Sequence, residues 1–264
     1  MKRWRGWLAL LGWCPALLAA QSAPWPTDPS LSGNAFLSPG LMALQADPAN
    51  SPITLWVDKG QALWSERAGP AGASCMGCHG DLQGLRQAVA SFPRLGTDGR
   101  SLVNLEDQII ACRARTGRTG ARLEDDDVLA LSTALHHAAR STPIQIQPPA
   151  DAQLAASWQA HLGQGARLFA TRLGRINLAC VHCHEQMVGR QMRADVVSPG
   201  HPTGFPIYRM SWQKPGTLDR RLRACYSGVQ ATIPPAGAPE LRALELYLKV
   251  RAAGKPLDGP SIRR

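Results

Sequence analysis

The chain has 264 residues, 44% of them hydrophobic, and 29 Lys and Arg against 19 Asp and Glu, a formal charge of +10. Beyond the N-terminal segment no run approaches the roughly 18 apolar residues of a membrane-spanning helix, and the cations form no aromatic-interleaved stripe of the nucleic-acid-binding kind. Membrane and nucleic acid are thus excluded as sites of action, and the positive balance favours anionic partners.

Residues 1–23 read as a secretory signal, because Lys2, Arg3 and Arg5 precede an apolar run from Trp7 to Leu18 and small residues follow. Cys14 leaves with it, and loss of the three cations takes the charge from +10 to +7. Residues 24–50, rich in Pro, Ser, Gly and Asn without periodicity, read as an N-terminal arm that wraps the surface. Helical text begins near Leu55, runs through Asp58 to Trp64 and breaks at Gly69-Pro70, ahead of Cys75-Met76-Gly77-Cys78-His79. Helices are expected over about 104–115 and 124–139. Pro143, Pro148 and Pro149 mark a linker at 143–151, and a further helix at about 152–171 leads to Cys180-Val181-His182-Cys183-His184.

Cys-x-x-Cys-His is the attachment sequence of c-type haem: two thiols one helical turn apart add to the porphyrin vinyl groups, and the next histidine ligates the iron. A zinc site would need two more Cys or His ligands at their own spacing, and recurrence of the whole pattern argues against chance pairs. Cys75, Cys78, Cys180 and Cys183 are therefore read as the covalent anchors of two haems, with His79 and His184 as proximal ligands. Covalent haem attachment to exported chains takes place outside the bacterial inner membrane, so the signal and the motifs together place the mature chain in the periplasm.

The halves also repeat. At an offset of 105, Gly60, Leu63, Trp64, Arg67, Gly69 and Cys75 match Gly165, Leu168, Phe169, Arg172, Gly174 and Cys180. At an offset of 113, Leu105, Glu106, Ile109, Ala111 and Cys112 match Leu218, Asp219, Leu222, Ala224 and Cys225, and Ala130, Leu131 and Leu135 match Ala243, Leu244 and Leu248. Amphipathic helices share apolar positions, but not Gly and Cys spacing. The expected fold is mainly α: two tandem cytochrome c-like domains, 51–142 and 152–264, related by internal duplication and carrying long irregular loops.

Two cysteines remain, Cys112 and Cys225, which lie 33 and 41 residues after His79 and His184, at repeat-equivalent positions. They are read as the second axial iron ligands, one per domain. The alternatives are a single disulfide, ligation of the second iron by Met187, Met192 or Met210, and ligation of the first by His136 or His137. The turn before the cysteine differs most, Glu106-Asp107-Gln108-Ile109-Ile110 standing opposite Asp219-Arg220-Arg221-Leu222-Arg223. On a helix Arg221 shares a face with Cys225, and a thiol that reacts with an oxyanion needs such a cation. Arg220 and Arg223 fit a solvated face, and Arg251 stands where the first half has Ala138.

With these residues in place the chain resembles the SoxA family, dihaem catalytic subunits of the L-cysteine S-thiosulfotransferases of bacterial sulfur oxidation. The resemblance spans about residues 50–264. It is carried by Gly174-Arg175-Ile176-Asn177-Leu178-Ala179-Cys180 through His184, Gly204-Phe205-Pro206-Ile207-Tyr208-Arg209, Arg221 through Cys225, and Leu246-Tyr247-Leu248 with Arg251. It implies His/Cys ligation of both irons, Cys225 as a catalytic sulfur carried as a persulfide, and Arg221, with Arg251 a weaker candidate, as substrate-binding arginine. It further implies thiosulfate as substrate, a small monohaem cytochrome of the SoxX kind as heterodimer partner, and the carrier SoxYZ as sulfur acceptor. The competing readings are a dihaem electron carrier, in which Cys225 is only a ligand, and a dihaem peroxidase, against which the paired cysteines argue.

Overall fold

The computed structural model describes residues 26–68, 72–192 and 195–264; the signal segment, the first two residues of the arm and Gly69 lie outside the described residues. After a 3₁₀ turn at Gly33–Phe36 come α1 (Pro39–Ala46) and α2 (Pro52–Ser65), each opened by a proline, whose fixed φ and missing N–H suit a first helical turn. The single turn α3 (Cys75–His79), α4 (Arg86–Ala90), a hairpin of β1 (Arg94–Leu95) and β2 (Leu102–Val103), α5 (Leu105–Arg115) and α6 (Asp126–Ala138) complete the first half. The second half runs α7 (Ala152–Ala170), α8 (Cys180–His184), the hairpin β3 (Gln191–Met192) and β4 (Asp195–Val196), β5 (Ile207–Arg209), β6 (Lys214–Gly216), α9 (Leu218–Gly228), α10 (Pro239–Arg251) and β7 (Ser261–Arg263). The molecule is mainly helical, and among the described residues no helix is long and apolar enough to cross a membrane.

The two helices that carry the leftover cysteines start sharply. At α5, Asn104 Oδ1 accepts from Asp107 N at 2.9 Å while Asp107 returns a carboxylate to Asn104 N at 3.1 Å, a capping box. At α9, Thr217 Oγ1 accepts from Arg220 N at 3.1 Å.

In the first half α2 crosses α6, and in the second α7 crosses α10, with their backbones in contact. A Cβ placed on Gly60 would stand 2.1 Å from the Ala130 carbonyl oxygen of α6, and one on Gly165 would stand 2.1 Å from the Ala243 carbonyl oxygen of α10. Only glycine permits that approach, and the contacted alanines are the pair already matched by the repeat. Gly60→Ala or Gly165→Ala should force the crossing apart and cost about 1–3 kcal/mol or more; denaturant midpoints of the haem-loaded variants equal to the parent's would contradict this packing.

The cores follow from these crossings. Trp64, Ile109, Val128, Leu131 and Leu135 form the first, which also takes in Trp158 of α7 and Leu246 and Leu257 from the end of the chain. Phe169, Leu218, Leu222, Leu241, Leu244 and Leu248 form the second. The stretch read as a linker begins pinned: Ile144 N donates to Lys255 O and Gly254 N to Ile144 O, both at 2.9 Å. The arm lies along the C-terminal strand. Ile262 N donates to Gln45 Oε1 at 2.9 Å, and Leu37 and Leu41 pack with Ile53, Val57 and Ile262.

Between the halves is a buried charge cluster. Arg242 of α10, its side chain 3% exposed, donates through Nε and Nη2 to both oxygens of Asp107 at 2.7 and 3.0 Å and through Nη1 to Asp219 at 3.0 Å. It therefore joins the first turns of α5 and α9. Glu245 lies 3.6 Å from the same guanidinium and accepts from Asn104 Nδ2 at 3.2 Å.

Candidate functional site

The first motif forms one exposed helical turn. Ser74 Oγ accepts from Gly77 N at 2.9 Å, and Gly80, at φ 69°, ends the turn in a conformation that favours glycine. The Trp64 ring lies 6.0 Å from that of His79. Burial pushes the Cys75 thiol up, Arg113 opposes that, and the neighbouring Cys112 raises it further. Cys112 thus faces the motif from α5, where Gln108 Nε2 donates to its Sγ at 3.2 Å. Arg113 pairs with Asp127 at 3.0 Å, and its Nε and Nη1 are buried without a partner.

The second motif is more enclosed. Ala179 N donates to His182 Nδ1 at 2.9 Å, which caps α8, and His184 Nδ1 lies 2.8 Å from Ser198 O. That carbonyl holds Nδ1 as the protonated nitrogen and leaves Nε2 with its lone pair free, as a metal-ligating histidine would need. Gly200, at φ 75°, lies against the ring, where a Cβ would approach to 3.0 Å. Burial and then Cys225 push the Cys180 thiol up to about 11, and the same two causes raise Cys183. Burial holds His184 below the ordinary imidazole range, against the Ser198 bond and with help from Arg221 and Arg251.

These side chains fit c-type haem. Each motif offers two thiols one turn apart, the second a histidine whose Nδ1 is already held, and each is faced by a cysteine from a capped helix. All six described cysteines are free, so Cys112 and Cys225 are not joined in a disulfide. Among the described residues no three His, Cys, Asp or Glu side chains gather as a site for a bare metal ion. His136 is buried within α6 with Nδ1 2.9 Å from Ser132 O. Met187, Met192 and Met210 are each exposed.

The arginines sort by partner. Arg220 pairs with Glu124 at 3.3 Å and lies 4.3 Å over Trp212, and Arg223 Nε donates to Pro234 O at 3.0 Å. Arg251 donates to Pro199 O at 3.1 Å and to Glu185 at 3.2 Å and lies 4.5 Å over Phe169. The half-buried Arg221 has no hydrogen-bond or ion-pair partner for its side chain among the described residues, and its charge is felt by His184, Arg209 and Arg263. Arg209 also feels Cys225. Arg209 closes the Gly204–Arg209 stretch that carries the resemblance, whereas nothing local in the sequence singles out Arg263, which reaches Arg209 only through the strand pairing.

A chain with these motif turns, their facing cysteines and this helical frame is a c-type cytochrome, built to carry covalently bound haem. Residues 59–144 match the family described as SoxA/TsdA, cytochrome c domain. The chain is 32% identical over 248 residues to the L-cysteine S-thiosulfotransferase subunit SoxA of Pseudaminobacter salicylatoxidans, covering 93% of this chain and 85% of the relative. It is 30% identical over 240 residues to the subunit of that name from Rhodovulum sulfidophilum, covering 89% and 81%. The crystal structure of SoxXA from P. pantotrophus contains a chain of similar fold, with a TM-score of 0.79 at 28% identity, covering 88% of this chain and 86% of that one. The chain belongs to the SoxA family.

Proposed function

We propose that this chain is the dihaem catalytic subunit of a periplasmic L-cysteine S-thiosulfotransferase, joined to a small monohaem cytochrome of the SoxX kind and acting on a cysteine of a SoxYZ-like carrier. The observation that carries the reading is Cys225 on α9, the helix whose Leu222 and Tyr226 pack with Cys180, within charge reach of Cys180 and Cys183, with Arg221 one helical turn before it and its side chain without a partner among the described residues. The matched glycine crossings and repeat spacing support a tandem duplication, hence two haems: Cys75, Cys78, His79 and Cys112 would hold one, and Cys180, Cys183, His184 and Cys225 the other.

In the reaction a carrier thiol and thiosulfate become a carrier S-thiosulfonate; one S–S bond forms, the S–H bond breaks with its proton passing to solvent, and two electrons leave. When bound, c-type haem supplies the acceptor for those electrons. Cys225 provides the reacting sulfur, as a persulfide on the family pattern. Arg221 holds the dianion beside it, and the guanidinium fork suits sulfonate oxygens. Arg251, engaged on three sides, ties Glu185, the residue after His184, to the Pro199 carbonyl.

Arg221→Gln, which restores the residue of the first repeat, should lower thiosulfate turnover about tenfold to hundredfold, the worth of charge-assisted hydrogen bonds of about 1.5–3 kcal/mol. The haem spectrum should hold, since every ligand remains. Arg220→Gln is the control, because Arg220 is committed to Glu124. Equal, small losses in both would return the chain to the electron-carrier reading.

A further inference from the structure

The sheet behind Arg221 bears a row of cations. β5 pairs antiparallel with β6 and parallel with β7, and one register line joins Lys214, Arg209 and Arg263. Residues paired in this way share a face. Tyr208 and Ile262, one step along, face the core of the N-terminal arm, so Arg209 and Arg263 face the other way. That way lies α9: the Trp212 ring 5.5 Å from Arg209 also takes Arg220 of α9 at 4.3 Å, and a Cβ on Gly216 of the neighbouring β6 would stand 3.1 Å from Arg220 Cδ; both arginines also feel the charge of Arg221. Lys214 leaves the row for Asp126 and the Glu124 carbonyl, at 3.0 and 3.2 Å. Arg263 is half-buried and fixed, Nη1 donating to Ile262 O at 2.7 Å and Nη2 to Asn34 Oδ1 at 3.0 Å.

Arg209 has no such settlement. Among the described residues its one carboxylate, the half-exposed Asp195, is 3.6 Å away, beyond a good hydrogen bond, and its Nε is buried without a partner. Trp212 lies 5.5 Å from its guanidinium carbon. Three guanidinium groups within reach of one another's charge, one with an unsatisfied buried N–H and one with no partner among the described residues, form an arrangement that an anion with several acceptor oxygens would relieve.

We infer that Arg209 is a second anion-binding arginine beside Cys225, taking the sulfonate end of the substrate together with Arg221, and that Arg263 positions it from the neighbouring strand. The inference rests on the proposed reading of Cys225 as the reacting sulfur. It adds a clamp built from two elements: Arg221 rides on α9 with the cysteine, whereas Arg209 stands on the sheet. A sulfonate presents three oxygens, more than one guanidinium fork satisfies.

The test uses the haem-loaded protein with its cytochrome partner. Arg209→Gln should raise the KM for thiosulfate about tenfold to hundredfold, with haem content and absorption spectrum unchanged. Arg209→Lys, which keeps charge but loses the fork, should fall between variant and parent, and it serves as the readout should the glutamine variant fail to load haem. Titration calorimetry of thiosulfate into carrier-free protein should show the same order of affinities. Arg263→Gln should raise KM less than Arg209→Gln and leave the spectrum alone. If KM and affinity are unmoved in both Arg209 variants while Arg221→Gln raises KM, the sheet is no part of the site and the inference fails with the proposed function intact. If Arg221→Gln is also without effect, the proposed function fails as well.

Discussion

Replacing Cys225 with methionine should reduce thiosulfate-dependent turnover at least about a thousandfold, the loss seen when a nucleophile and its chemistry are removed together. The substitution is chosen because it separates ligand from reagent. Methionine leaves a sulfur on the same face of α9, opposite Cys180 and Cys183, but with no thiol to carry a second sulfur atom. Covalent haem, assayed as the pyridine haemochrome, should be retained in full, because Cys75, Cys78, Cys180 and Cys183 are untouched. Intact mass should lose the additional sulfur expected on the parent. A variant that kept most of its turnover would show that Cys225 serves only to hold iron, and the catalytic reading would end there.

The largest loss of stability should come from Arg242→Leu. That side chain is 3% exposed and is shared by Asp107, Asp219 and Glu245, of which Asp219 is 2% exposed. Removing the cation leaves buried carboxylates uncompensated, and breaking a buried pair in this way costs about 3–5 kcal/mol. At roughly 2–4 °C per kcal/mol for a chain of this size, the melting midpoint should drop by about 10 °C. The loss should also depend on pH. Burial, opposed by Arg242, pushes Glu245 up to about 7 from an ordinary 4.5. A carboxyl whose folded-state pKa is raised binds its proton more tightly folded than unfolded, so its contribution falls as pH rises through that window. Without Arg242 the window widens upward, and the variant's deficit should be smaller near pH 5 than near pH 8. A deficit independent of pH, or below about 1 kcal/mol, would mean that the cluster is solvated and does not join the halves.

Much of the site was legible because its chemistry is contiguous. Both haem motifs fit within five residues, Arg221 lies one turn from Cys225, and the periodicity that forecast helices at 104–115, 124–139 and 152–171 reports on short-range geometry alone. The repeat went further, since it aligned Gly60 with Gly165 and Ala130 with Ala243, and those residues meet in pairs in the structure. What stayed hidden depends on distant pairing. Nothing near Arg251 announces Glu185, 66 residues earlier, as its partner. The parallel register that sets Arg209 beside Arg263 pairs residues 54 apart in the chain without a connecting pattern. Arg242 reads as one charge among many on an amphipathic helix until α5 and α9 bring Asp107 and Asp219 to it from opposite halves.

The shared first core bears on how such a molecule can be taken apart. Trp158, Leu246 and Leu257 sit among the side chains of α2, α5 and α6, and Ile144 is tied by backbone hydrogen bonds to Gly254 and Lys255. A polypeptide ending between the two haem motifs would present that core to water with its lid missing, and the remaining piece would carry an exposed tryptophan and two leucines. The matched halves share one core, so neither is expected to fold alone, and a fragment bearing only the Cys225 half should offer no simpler enzyme.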